Sequence, residues 1–244
     1  MAKLDEVYAV VHKEIANVVS SLPAKDLKRK VPATPDWSIR DVVAHLTGTA
    51  ERMAAGDFPS HFFFPTGAEH AVEAHNEWNE RQVSERRKRS VQELFDEWET
   101  TTPKIAPMLR GDVPWGQEAV PFGGHVMVTD LAAHQQDIYG ALGQETDRDA
   151  IPIRIGFATY IGGVDLRIRA SESPALRFVT EQKEVVAGFG EPAATVTASR
   201  FEFFRALSGR RNLDQVRAYE WDGDADPFLK FFYPYGPRTD ALVE

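Results

Sequence analysis

The chain has 244 residues, 43% hydrophobic and 27% charged, with a formal net charge of −9. That is room for one large globular domain or two small ones. The acidic balance argues against general nucleic-acid binding, where phosphate contacts dominate affinity, and no apolar run reaches membrane-spanning length.

There is no cysteine. Disulfides, thiolate metal sites and a cysteine nucleophile are thereby excluded. A metal here must be held by His, Asp or Glu, and thiol chemistry needs a thiol from outside the chain. The opening Met1-Ala-Lys-Leu-Asp-Glu6 is too charged to begin a secretion signal, so we expect a cytoplasmic protein.

Leu4, Val7, Val11, Ile15, Val18 and Leu22 recur at helical spacing along a narrow seam, as in a bundle, and Pro23 closes the run. Residues 25–35 read as a polar, proline-containing connection. Ser38 then caps a second helix with Asp41 at its third position, and Trp37 and Val42 are placed as a hydrophobic staple. Val42, Leu46, Thr49 and Met53 form the inward stripe, with His45 on its edge. Gly56-Asp-Phe-Pro59 breaks this helix, and Phe62 to Phe64 form an aromatic loop that either walls a pocket or plugs the bundle's end. A long polar helix with Trp78 and Val83 runs from Glu69 to about Arg89.

Ser90 and Glu93 form a capping box that restarts a helix through Leu94, Phe95 and Trp98, which Pro103 should kink or restart. Residues 111–124 read as a loop. The next helix carries Val128, Leu131, Ile138 and Leu142 on its apolar stripe, with Gly123 and Gly124 preceding it and Gly143 ending it.

Residues 1–146 thus read as a four-helix bundle and residues 147–244 as a small α+β domain, joined by the polar Gln144–Asp149 segment. In the second part a helix starts at Pro152 and runs through Ile161. Strand-like runs cover Leu176–Thr180, Val185–Phe189, Ala194–Thr197 and Val216–Trp221. Ser199 with Glu202 caps a helix presenting Phe203, Phe204 and Leu207 inward, and Asp226-Pro227 opens a last short helix. The basic runs Lys28–Lys30, Arg86–Arg89 and Arg210-Arg211 read as solvated faces.

An acid four residues before a histidine shares its helix face at about 6 Å, close enough for both to hold one ion. With 7 His and 37 acids, chance places roughly one such pair. There are three: Asp41–His45, Asp57–His61 and Asp130–His134. The second spans the break at Gly56–Pro59. Asp41 is better used at its helix start, where its charge suits the dipole.

That leaves Asp130–His134, whose carboxylate beside an apolar stripe costs on the order of several kcal/mol unless paired or bound to a cation. His45, from another helix, would complete a set of two His and one carboxylate with positions left open, as a catalytic metal needs. Zinc is the default for that set; nickel and iron(II) also suit it. A metal-free hydrogen-bond network satisfies the same residues and stays open as an alternative. Asp137 either supports His134 or is exposed. His125 lies out of line with the pair, and His12, His70 and His75 read as surface residues.

Thr34-Pro-Asp-Trp-Ser-Ile-Arg-Asp-Val-Val-Ala-His45-Leu resembles the characteristic segment of the mycothiol-dependent maleylpyruvate isomerase family, which is similar to the wider DinB/YfiT-like metal-binding bundles. His75-Asn-Glu-Trp-Asn79-Glu-Arg resembles that family's middle helix, and Asp130 to Gly143 its last bundle helix. Ser208-Gly-Arg210 and Trp221-Asp-Gly-Asp224 resemble its second domain.

The resemblance implies a four-helix bundle with a small C-terminal α+β domain. It implies a metal triad of His, Glu and His, which lands on His45, Asp130 and His134 with the shorter Asp where Glu is usual. It further implies an enzyme using mycothiol as nucleophile on a small electrophilic substrate, an isomerase of maleylpyruvate type or a thiol transferase. Monomer or homodimer, with neither nucleic acid nor membrane as partner, is the expected state. Arg210 would be the second-domain arginine that binds anionic substrate. The alternative is a non-catalytic metal- or ligand-binding bundle protein.

Overall fold

The structure, a computed structural model, describes residues 2–57, 69–115, 122–234 and 236–244. The chain divides into two compact units, residues 1–63 with 73–147 and residues 64–72 with 148–244.

The first unit contains α1 (Leu4–Ser20), a short α2 (Ala24–Leu27), a hairpin of β1 (Lys30–Val31) and β2 (Thr34–Ser38), then α3 (Ile39–Ala54), α4 (Glu69–Glu85), α5 (Val91–Arg110) and α6 (Gly123–Leu142). Helices α1, α3, α5 and α6 pack on one another as a four-helix bundle. Val11, Ile15, Val42, Met53, Leu94, Trp98, Ile105, Val128 and Leu131 are buried between them, each worth roughly 1.5–3 kcal/mol of transfer free energy. Both capping boxes form: Ser38 with Asp41 starts α3, and Ser90 with Glu93 starts α5. Helix α4 packs on α3, where Gly48 leaves room: a Cβ there would stand 2.6 Å from that of Gln82. The Thr49 hydroxyl donates to Gln82 Oε1 at 3.0 Å across the same contact.

Several local expectations are corrected. Residues 25–35 are not a plain connection but hold α2 and most of the hairpin. The hairpin is tied to α3 by the Ile39 N–H on the Arg29 carbonyl at 3.0 Å. It is tied to α6 by the Arg29 guanidinium on the Ala141 carbonyl at 3.1 Å, which serves one of the carbonyls a helix end leaves open.

Pro103 does not restart α5, which continues through Pro103 and Pro107. Pro103 sits on the exposed face, and so does Glu99, the residue whose carbonyl loses a helical partner, so water can take its place. Gly123 and Gly124 do not precede α6 but form its first turn. A Cβ on Gly123 would meet Trp115 at 2.7 Å, and one on Gly124 would meet Leu4 at 3.0 Å. These glycines permit close packing rather than marking a loop.

His12 and Arg86 are buried rather than solvated. Arg86 Nη2 pairs with Glu97 at 2.6 Å. The His12 ring lies 4.3 Å from that of Trp98 and 6.4 Å from that of Phe95. Phe62 to Phe64 lie outside the described residues.

In the second unit α7 spans Ile151–Ala170, beyond the predicted end. Strands β3 (Ala175–Val179), β4 (Glu184–Ala187), β5 (Pro192–Thr197) and β6 (Glu220–Asp222) form one sheet in the order β4-β3-β5-β6. β3 runs parallel to β5; the other two pairings are antiparallel. Helices α8 (Arg200–Leu207), α9 (Leu213–Arg217) and α10 (Asp226–Leu229) complete it. Phe157, Phe178, Phe203, Phe204 and Phe232 are buried at its centre.

Val216 is helical, not the start of a strand, because Asn212 and Gln215 form a capping box for α9. Ser199 caps α8 by accepting from the Glu202 N–H. Arg211 is buried, with Nε and Nη2 each 2.8 Å from the Glu202 carboxylate.

Burial lowers the His12 imidazole from its ordinary 6.5 to about 4. The unfolded chain therefore takes up this proton first as pH falls. The stability held in the neutral ring is complete above pH 6.5 and is lost progressively toward pH 4, a loss on the order of 3 kcal/mol. Urea midpoints measured between pH 7 and pH 4.5 should fall, and fall less in His12→Leu; parallel decline in the two proteins would refute this assignment.

Candidate metal centre

Three side chains from two helices converge in the first unit. The α3 cap sets the start of that helix, and His45 follows two turns later on its buried side. Asp130 and His134 stand one turn apart on α6, a helix buried on almost every face. One donor atom from each residue can be chosen so that all three lie within 4.8 Å of one another. His45 Nε2 is 3.4 Å from Asp130 Oδ2, and His134 Nε2 is 3.6 Å from Asp130 Oδ1. The imidazole centroids are 4.8 Å apart with planes at 67°. The side chains of His45 and His134 are 1% and 7% exposed, against 20% for Asp130. Solvent therefore reaches the cluster at its carboxylate edge.

Asp137 is buried, not exposed, and its Oδ2 lies 2.9 Å from His134 Nδ1. The contact is a close pairing without hydrogen-bond geometry; it sets a carboxylate beside Nδ1 while Nε2 faces Asp130. Burial lowers the His134 pKa, against the opposing pull of Asp137 and Asp130, so the ring is neutral near pH 7 and able to donate a lone pair. Neither ring nitrogen of His45 has a hydrogen-bond partner among the described residues. Its ring instead meets the Trp37 indole, with centroids 4.9 Å apart.

The other candidates stand elsewhere. Asp41 remains at the α3 cap, accepting from the Ser38 N–H at 3.0 Å and hydroxyl at 2.7 Å. Asp57 pairs with Arg52 at 2.6 Å, while its supposed partner His61 and the side chain of His70 lie outside the described residues. His125 is exposed at the start of α6, and partial desolvation lowers its pKa. His75 is half-buried rather than on the surface, 2.9 Å from Asn79 Nδ2. Arg210 belongs to the second unit, in the turn after α8, where Nη1 donates to the Ser208 carbonyl at 2.5 Å.

Trp37 was legible only as a staple residue, although its place just before the cap also sets it beside His45. Asp137 carried a signal in its spacing of three from His134.

The family model described as "Mycothiol maleylpyruvate isomerase N-terminal domain" matches residues 8–139, a stretch that includes His45, Asp130 and His134. The chain belongs to the mycothiol maleylpyruvate isomerase family. Two solved structures resemble it. One is a histidine-to-alanine mutant of the mycothiol-dependent maleylpyruvate isomerase, with 12% identity and a TM-score of 0.55, covering 87% of this chain and 90% of that one. The other is the mycothiol-dependent maleylpyruvate isomerase, with 14% identity and a TM-score of 0.50, covering 85% and 88%. At such identities the likeness is one of fold. No curated protein sequence matches. Among the described residues no helix is long and apolar enough to cross a membrane.

If Asp137 sets the His134 tautomer, ring ¹⁵N chemical shifts of metal-free protein should report the Nδ1–H form. Asp137→Ala should shift the population toward Nε2–H. An unchanged spectrum would remove Asp137 from this role.

Proposed function

We propose that His45, Asp130 and His134 hold one divalent metal ion, and that the chain is a metal-dependent enzyme using a low-molecular-weight thiol, mycothiol, on a small electrophilic substrate. One observation carries the reading: the spacing of the three donors. The two carboxylate–imidazole separations, 3.4 and 3.6 Å, exceed the roughly 2.7–3.2 Å of good N–H···O hydrogen bonds. They lie near the edge of about 3.3 Å expected between ligands arranged tetrahedrally at about 2.0–2.1 Å from zinc. The unbonded nitrogens of His45 argue the same way, since a buried polar atom without a partner is costly. A metal-free network is a poorer account of both facts.

A divalent ion held by three protein groups keeps open positions and favours the thiolate form of a thiol that binds there. The protein's own groups then have definite tasks. The two imidazoles supply neutral donors and Asp130 offsets part of the ion's charge. Asp137 orients His134, and the surrounding helices exclude water except at the Asp130 edge. Zinc is our first choice of metal, with nickel or iron as alternatives.

Arg210 is proposed to bind the anionic part of a substrate of maleylpyruvate type. Isomerisation returns the thiol and transfer consumes it, so thiol stoichiometry distinguishes the two reactions. We place the protein in the cytoplasm, as a monomer or homodimer.

Elemental analysis of tag-free protein should find about one equivalent of metal, lost in His45→Ala and in His134→Ala with the helical circular dichroism retained. Asp137→Asn should weaken metal binding by about 10–100-fold. Metal-loaded protein should turn over maleylpyruvate with mycothiol. Metal without any thiol-dependent turnover would favour a binding protein, and no metal after reconstitution would sink the proposal.

A further inference from the structure

The two histidines of the centre have different neighbours. His134 has the Asp137 carboxylate 2.9 Å from Nδ1, a close pairing without hydrogen-bond geometry. His45 has no hydrogen-bond partner among the described residues at either nitrogen. Its recorded ring neighbours are His134 and Trp37, and Trp37 lies with its centroid 4.9 Å away and its plane inclined by 35°. The same indole is 6.0 Å from the His134 ring, again at 35°, so it rests against both imidazoles.

Trp37 is itself constrained. It lies on β2, next to the Ser38 cap of α3, and its indole N–H donates to Glu80 Oε2 on α4 at 3.3 Å. A ring fixed by strand, cap and Glu80 can confine an imidazole by contact alone, since rotating His45 would require the indole to move.

We propose that Trp37 is the positioning residue of this centre: it aligns His45 by ring contact where a hydrogen bond is lacking, and it covers the histidine side so that thiol and substrate enter at the Asp130 edge. The inference rests on the metal reading above. Its consequence is that one aromatic side chain sets both the metal affinity through His45 and the direction of approach.

The test is a cobalt(II) titration of the wild type, Trp37→Phe, Trp37→Leu and His45→Ala, with bound metal read by equilibrium dialysis and occupancy by quenching of tryptophan emission. The wild type should bind one equivalent with quenching, and His45→Ala should not bind. Trp37→Leu should bind about tenfold or more weakly, and Trp37→Phe within about threefold of wild type, because a phenyl face still confines the imidazole. Both Trp37 variants should lose most of the quenching at full occupancy, which a merely structural residue would not cause.

Wild-type affinity in Trp37→Leu, or quenching that survives in both variants, overturns the inference while leaving the metal site standing. If Trp37→Leu does not fold, the quenching of Trp37→Phe decides. Failure of the wild type to bind cobalt, or equal binding by His45→Ala, brings down the metal reading and this inference together.

Discussion

A carboxylate lies between two imidazoles supplied by different helices, and the first unit is arranged to allow it. Asp130 reaches toward both His45 and His134, at 3.4 and 3.6 Å. Aspartate is one methylene shorter than the glutamate the family resemblance leads one to expect, so this reach depends on α3 and α6 lying close together. α6 is also tied down at both ends. Its first turn is built of Gly123 and Gly124, which let Trp115 and Leu4 approach. Its last turn receives the Arg29 guanidinium from the hairpin.

The polar groups of the centre are tolerated in the interior because each has a counterpart or a task. Asp137 would be an expensive buried charge alone, and it faces the His134 ring. Asp130 keeps partial contact with water. His45 is held least by polar contacts, with neither nitrogen hydrogen-bonded and only Asp130 Oδ2, at 3.4 Å, beside the rings of Trp37 and His134. Natural structures seldom leave such a group without a purpose, and the metal ligation proposed above would supply one. The two similar solved structures are of mycothiol-dependent maleylpyruvate isomerase, at 12% and 14% identity. The chemistry of this chain therefore has to be argued from its own three residues.

Much of the fold was legible because the signals were local. The seam of α1, the serine caps of α3 and α5, and the left-handed Gly143 that ends α6 each act within a few residues of themselves. The errors share a different cause. The hairpin of β1 and β2 is short and held partly by groups distant in sequence, including the link from Arg29 to Ala141. Pro103 looked like a break, yet it falls on the solvent side of a helix whose other side is buried. His12 and Arg86 looked like surface residues. Burial is decided by what packs opposite, here Trp98 for one and Glu97 for the other.

The sequence by itself determined the helical periodicity, the cap positions, the lack of any cysteine thiolate of its own, and the pairing of Asp130 with His134, because four residues of helix carry a side chain once around. The sequence also named His45 as the third member, but only the tertiary structure brought it beside Asp130 and His134. The tertiary structure also decided that Asp137 is buried behind His134 and that Trp37 lies over both rings. Those facts depend on the distance and rotation between elements separated by some ninety residues of chain. Bundle packing and the hairpin fix that geometry, and no local pattern encodes it.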